Sequence, residues 1–434
     1  MLIVALLAPL ACAPERSVPA PPVRASAAVS VNAAPISADE QAAFQEVNLI
    51  APIPAVIATR VDEHAWVDQL AKDFPGRLVP SLAKVDLNRD AETPIAKAIG
   101  FNVPAAHAPV GFVWNDGDRQ VDEWFPQGVG GFERDGRHWL VVTWYAKANP
   151  EAASDAPSYR GARLSLIDVT DPAHVSYRHA LLVQDARLTG DKQLFRLGAA
   201  AKAAYTQGAR FAPVPIHAGG VEVYQHWVYV VDTQLGVRQF DLDRLFTAEA
   251  DPGKDRCGVV DGKSYAFDYR YILPEVAHYQ LDGAAPYSCL SLDPATRTLW
   301  LGQYLADEDA ARSAITGIPL EADGRLAPEA SAMTFPRDSD GGYAHRIQGA
   351  FRQGRRTWLS VTGQSLYEGS TARLVMYEDG AKTGARWRWP QGAEDLYYDA
   401  GRDTLWSLTE APKSSLTRRD RCVFGVRLGS YQGP

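Results

Sequence analysis

Polar side chains able to move protons or grip a ligand recur at the start of five short apolar runs: Pro126-Gln127-Gly128-Val129, His217-Ala218-Gly219-Gly220-Val221, Tyr287-Ser288-Cys289-Leu290, Ile347-Gln348-Gly349-Ala350 and Pro390-Gln391-Gly392-Ala393. His345 and the pair Glu394-Asp395 stand beside them. A second polar set, Trp144-Tyr145, Asp232-Thr233, Gln303-Tyr304, Gln364 and Thr409-Glu410, follows the next apolar run of each repeat. Carboxylates gathered at one place can serve as general acid and base, split a glycosidic bond, or hold Ca²⁺ through oxygen ligands. Glu394, Glu410 and His217 are the candidate catalytic residues, and a divalent metal such as Ca²⁺ is the candidate cofactor. Gln127, His217, Asp232, Gln303, His345, Gln348, Gln364, Gln391 and Asp395 are the candidate ligand-binding residues. Each also has a structural role open to it, because buried Gln, Ser and His satisfy backbone groups and Asp and Thr are ordinary turn residues. Spacing gives no distance between the carboxylates, so the choice among these chemistries stays open.

The elements that must position these residues repeat as well. Each polar run leads into an apolar strand, and a strand carrying Trp139, Trp227, Trp300, Trp358 or Trp406 follows. Short strands repeating every 45 to 90 residues or so are the pattern of a radial β-propeller. In that fold, strand starts and adjoining loops gather at one axial mouth, where ligands sit. The expected fold is all-β, a five-bladed propeller over residues 111–434, with six blades as the alternative if residues 100–118 or 185–213 hold another unit. The fifth repeat is one strand short. Arg119 to Phe125 is the expected missing strand, so that both ends of the chain close one blade and remove two sheet edges. In the second repeat Ser264 to Ile272 is the expected outer strand, and in the fifth Glu394 to Tyr398 is the expected innermost strand. Before the repeats, Ser37-Ala38-Asp39-Glu40 has capping-box spacing, and Trp66, Leu70 and Phe74 fall at helical spacing. Residues 37–110 therefore read as a short helical segment.

Leu2 to Ala11 is apolar but too short to span a bilayer, and it matches the apolar region of a secretory signal. Leu10-Ala11-Cys12 resembles a lipoprotein cleavage site, with Pro9 where that motif usually has Leu and no Lys or Arg ahead of the apolar run. Residues 1–12 are thus a signal, with Cys12 the candidate lipidation site, and the Pro/Ala-rich residues 13–36 an extended tether. Export to the periplasm or exterior follows, with the membrane met through a lipid anchor. The 434 residues carry a net charge of -8 and no Lys/Arg cluster, which excludes a phosphate backbone as partner. Cys257 and Cys289 are the expected disulfide in an oxidising compartment.

Val228 to Leu242, with its Asp232-Thr233 turn and Phe240-Asp241 return, resembles the blade of NHL-type propellers. Residues 119–428 resemble secreted bacterial propeller proteins through His217-Ala218-Gly219-Gly220, Glu394-Asp395-Leu396 and Trp406-Ser407-Leu408-Thr409-Glu410. That resemblance implies fold and export but no reaction. Gluconolactonase-type propellers are the nearest enzymatic analogy, although their metal-binding Asn and Asp motifs have no residue-by-residue match here. The expected function is binding of a small polar molecule or glycan at the axial channel by a monomer. Its alternatives are a carboxylate- or metal-dependent hydrolase of lactonase or glycosidase type, and a protein-interaction platform.

Overall fold

The computed structural model describes residues 56–95, 103–147, 160–187, 210–254, 256–282, 286–305, 312–362, 372–411 and 420–431. The signal and tether segments, Cys12 and Gln364 lie outside them. Within the described residues, in a propeller-type arrangement, three antiparallel sheets have four strands each, a two-stranded hairpin stands apart, and two further antiparallel four-strand sets, called the first and second sheets below, are joined with four short edge strands into one larger sheet where Tyr271–Pro274 runs parallel to Ala180–Val183. The first sheet comprises Trp124–Arg134, Arg137–Ala146, Ala162–Asp168 and Ser176–Asp185. The second comprises Val221–Tyr224, Trp227–Asp232, Gly236–Asp241 and Tyr271–Asp282. Tyr287–Asp293, Thr298–Gln303, Ile315–Pro319 and Ala332–Thr334 form the third, and Ile347–Gln353, Arg356–Val361, Arg373–Glu378 and Ala385–Arg388 the fourth. Tyr397–Asp399, Thr404–Leu408, Cys422–Arg427 and Val110–Val113 form the fifth. Local chemistry sets the hairpins. Asp135 and Gly136, both at positive φ, form the two-residue turn that joins Arg134 to Arg137.

Apolar side chains leaving opposite faces of each sheet fill the wedge between it and the next. Trp139, Leu164 and Ala180 of the first sheet meet Val221, Val230 and Phe240 of the second. Tyr229 and Tyr279 meet Leu290 and Leu301, and Cys289 and Ile315 meet Leu359 and Val375. Phe351 and Leu374 pack on Leu396 and Phe424, while Trp406 and Val423 pack on Val129, Leu140 and Trp144. The last of these wedges joins the fifth sheet back to the first, so the ring closes through side chains.

Ring closure by both ends of the chain is present, but the closing strand differs from expectation. Val110–Val113 pairs with Cys422–Gly425, whereas Asp116–Arg119 is a helical turn and Trp124 and Phe125 open the innermost strand of the first sheet. Gly111 explains the choice. Its missing side chain lets the strand lie against Val423, whose carbonyl oxygen would be 2.2 Å from a Cβ at that position. The Arg119 to Phe125 segment contains Asp122 and Glu123 and offers no such fit. In the second sheet the outer strand is Tyr271–Asp282, and Lys263–Ala266 instead forms a small separate hairpin with Cys257–Val260. The expected disulfide is absent: Cys257, Cys289 and Cys422 are free and buried. Cys257 packs with Trp66 and Phe211, and Cys289 packs with Ala350 and Leu359 in a different wedge.

Ahead of the ring, an N-terminal strand, Ile57–Asp62, adds to the outer edge of the second sheet through Ala277 to Asp282. Helix α1, His64–Asp73, follows and lays Trp66, Val67 and Leu70 over Leu181, Val183 and Ile272. Removal of residues 1–55 is expected to leave a soluble, cooperatively melting protein. Gly111→Val, or a chain starting at Trp114, should open the Cys422–Arg427 edge and give insoluble material. A soluble and cooperatively melting chain starting at Trp114 would show that the ring closes without this strand.

Candidate functional site

The innermost strands meet on the axis at one carboxylate. Asp395 Oδ2 accepts the amides of Val129 and Val221 at 3.3 Å each, and Oδ1 accepts that of Leu290 at 3.4 Å. The fifth sheet thus bonds to the first, second and third through a single side chain. The fourth touches it by backbone, since a Cβ on Gly349 would sit 2.7 Å from the Asp395 carbonyl carbon. Gly220 is as tightly placed, its Cβ position lying 2.3 Å from the Leu290 nitrogen. Glycine at the strand starts therefore serves close backbone approach. The axis is closed at this level where an open channel was expected, and Asp395 is fully buried. Glu394 to Leu396 leave strand geometry to insert this carboxylate, which is why the innermost strand of the fifth sheet begins only at Tyr397.

Above Asp395 the predicted residues separate into those that converge and those that do not. Gln127 Nε2 donates to Glu410 Oε1 at 2.9 Å, and the Tyr145 hydroxyl reaches the same oxygen at 3.4 Å. Tyr145 stacks on His217 with ring centroids 4.2 Å apart. Gln348 Nε2 donates to Glu394 Oε1 at 3.3 Å. Burial holds Glu394 well above the usual carboxylate pKa, and the charges of Glu410 and Asp395 push the same way. Glu410 is also raised by burial, but the Arg421 and Lys147 cations and the bonds from Tyr145 and Gln127 oppose the shift. Two neighbouring carboxyl groups thus stand in unequal fields: Glu394 favours its neutral form, and Glu410 has cations beside it.

Gln391 and His345 are half-buried near these strand starts. Gln303 and Asp232 do other work. Gln303 accepts the Ala314 amide at 3.0 Å. Asp232 accepts Arg238 Nε at 2.8 Å and caps its own turn through the Gln234 amide. Ser288 donates to the Ile347 carbonyl at 2.9 Å.

Several charged residues here had no counterpart among the sequence candidates. Arg421 is fully buried between the Phe125 and Trp144 rings, donating to the Glu410 carbonyl at 2.9 Å and to those of Asp118 and Val121. Burial lowers its pKa to about 9. Its signal was the last Arg of Arg418-Arg419-Asp420-Arg421, directly before the apolar run Cys422–Arg427. Glu222 lies one step deeper on the axis, buried, accepting the Leu292 amide at 3.2 Å; burial and then Asp395 hold its pKa well above normal. Its signal was a Glu between Val221 and Val223. Ser165, His179 and Asp118 form a chain, with Ser165 Oγ 2.9 Å from His179 Nδ1 and His179 Nε2 3.0 Å from Asp118. The Ser165 hydroxyl is sealed beneath Trp144, whose Nε1 donates to it at 2.8 Å, so no substrate reaches it.

No family model and no curated protein matches the sequence. Among solved structures, a GH43_1 enzyme from Xanthomonas citri is similar at 9% identity, with 71% of this chain and 91% of that chain covered and a TM-score of 0.37. A gluconolactonase from Xanthomonas campestris matches at 13% identity, covering 81% and 97%, with a TM-score of 0.31. A GH43 endo-arabinanase from Bacillus licheniformis matches at 9% identity, covering 71% and 95%, with a TM-score of 0.35. Likeness at this level carries no activity across to this chain.

The axial carboxyl groups predict an unusual pH profile. An acid whose pKa is higher folded than unfolded binds its proton more tightly in the folded state, so stability falls as pH rises above the unfolded value of about 4.3. Glu394, Asp395 and Glu222 are all shifted in this direction. The melting temperature should therefore be highest in mild acid and fall from pH 5 to pH 8, and a rise over that range would contradict the assignment. Gly220→Ala should cost several kcal/mol in denaturant titration, because the Leu290 backbone cannot yield the space.

Proposed function

We propose that the protein is a five-bladed propeller that binds a small polyhydroxylated molecule, of the glycan class, at the mouth above Asp395. The observation that carries this reading is the Glu394–Glu410 pair, each carboxyl group already held by an amide, Gln348 and Gln127 respectively. Carboxyl and amide groups side by side present converging acceptors and donors of the kind that fix adjacent hydroxyls, and the stacked Tyr145 and His217 rings offer a flat apolar wall next to them. Export with a lipid anchor at Cys12 belongs to the same reading, as does action as a monomer. Export places the mouth outside the cytoplasm.

A second reading, hydrolysis, is favoured by the unequal fields on the two carboxyl groups. Glu394, with its proton retained, suits a general acid, and Glu410, beside Arg421 and Lys147, suits a general base. The two readings share the site and differ in turnover.

Glu394→Gln keeps shape and the bond to Gln348 while removing a poorly solvated acid. Its melting temperature should equal or exceed that of the wild type, with the difference growing from pH 5 to pH 8. Thermal-shift and calorimetric screens of sugars, lactones and Ca²⁺ should find a stabiliser of the wild type whose affinity the variant loses at least tenfold. A marked fall in melting temperature with binding intact would return Glu394 to a structural role. If the mouth is hydrolytic, chromogenic glycosides or lactones turn over and Glu394→Gln slows them about 100-fold or more.

A further inference from the structure

We infer that Glu63, Glu275 and His278, far from the mouth at the outer edge of the second sheet, form a binding site for a zinc-class divalent cation. The cation would fasten the N-terminal strand and α1 to that sheet. One ligand atom from each residue lies within 4.8 Å of the other two. His278 Nδ1 is 2.8 Å from Glu63 Oε1 and 3.2 Å from Glu275 Oε1. Tetrahedral zinc with bonds of about 2.0–2.2 Å sets its donors roughly 3.4 Å apart, so a spreading of a few tenths of an ångström admits the ion.

The fold builds this cluster deliberately. Glu275 and His278 are three apart, which on a straight strand would send them to opposite faces. A bulge between Gln239 and Phe240 skips Val276 in the pairing, so His278 faces Arg238 and Glu275 faces Phe240 across the ladder. Glu63 is delivered from the other side. The N-terminal strand pairs up to Asp62 with Ala277, the Glu63 amide donates to the Val276 carbonyl at 2.8 Å, and Trp66 Nε1 donates to the Glu275 carbonyl at 3.0 Å. Glu63 precedes α1 but makes no capping bond to it. Its side chain turns inward instead.

One observation points to a cation rather than to a finished ion cluster. Glu63 is buried, yet its Oε2 has no hydrogen-bond partner, which is costly for a carboxylate. Arg238 is already engaged with Asp232 at 2.8 Å and with Glu275 Oε2 at 2.6 Å, so it does not reach that oxygen as a partner. A divalent ion bound here would displace the proton between His278 Nδ1 and the two glutamates and take Glu63 as a ligand. One imidazole nitrogen with two carboxylates is a zinc-type donor set, whereas Ca²⁺ takes six to eight oxygens. The His278 side chain, about 20% exposed, gives the ion a way in from solvent.

The test is calorimetric titration of the chelator-treated full chain with ZnCl₂, with CaCl₂ in parallel. Zinc is expected to saturate near one equivalent, raise the melting temperature, and slow amide exchange in residues 57–73. Glu63→Gln and His278→Asn should each weaken zinc binding at least tenfold. Asp241→Asn, in the more open His226, Asp241 and Asp243 group, should leave it unchanged. Failure of the folded wild type to take up zinc saturably overturns the proposal, as does uptake unaltered by His278→Asn or abolished by Asp241→Asn.

Discussion

The architecture depends on one carboxyl group receiving backbone amides from three other sheets. Asp395 collects the Val129, Val221 and Leu290 amides, which would otherwise end unpaired at the crowded centre of the ring. Buried amides without partners cost about 1–3 kcal/mol each, so this side chain does what a β-ladder cannot do where strands converge radially. Glycine then becomes obligatory around it, because the strands must approach within backbone contact. Three more carboxyl groups lie near the close contacts of Asp395, Gly220 and Gly349: Glu222 and Glu394 are buried and Glu410 is half-buried.

That crowding has an energetic consequence for Glu394 and Glu410. Glu394 is covalently adjacent to Asp395 and inherits its dryness, so its charged form is penalised by burial and again by the two acids beside it. Glu410 comes from a different strand end and stands over Arg421, a buried guanidinium whose bonds run to backbone carbonyls. Two carboxyl groups of the same chemistry are thereby made unlike by their supports. Such an arrangement lowers stability relative to apolar or amide replacements, and proteins retain that cost where a site uses the group.

Much of this was legible in the residues. The five Trp-bearing second strands and the polar strand starts give the repeat, and among the candidates Gln127 is hydrogen-bonded to Glu410 and Gln348 to Glu394. The function of the Gly residues was not legible, because a pattern such as Gln-Gly reads equally as a turn or as a close approach. Asp395 was visible as a carboxylate, yet its bonds reach residues 105 to 266 positions away, and no local pattern encodes such partners. The closing strand was misplaced by its length. Val110–Val113 is four residues with Gly at its second position, a weak signal beside the longer run ending at Phe125. Glu275 escaped notice because strand periodicity places it opposite His278, and a bulge overrides that periodicity.

The most direct measurement is the protonation state of Glu394 itself. Carboxyl-carbon NMR of glutamate-labelled protein, with Glu394→Gln to assign the resonance, follows that group from pH 4 to pH 9. The expected result is a titration displaced well above the usual value of about 4.3, with the carboxyl group keeping its proton beyond the pH at which ordinary glutamates ionise. A Glu394 resonance that titrates in the ordinary range and is fully ionised at pH 7 would contradict it.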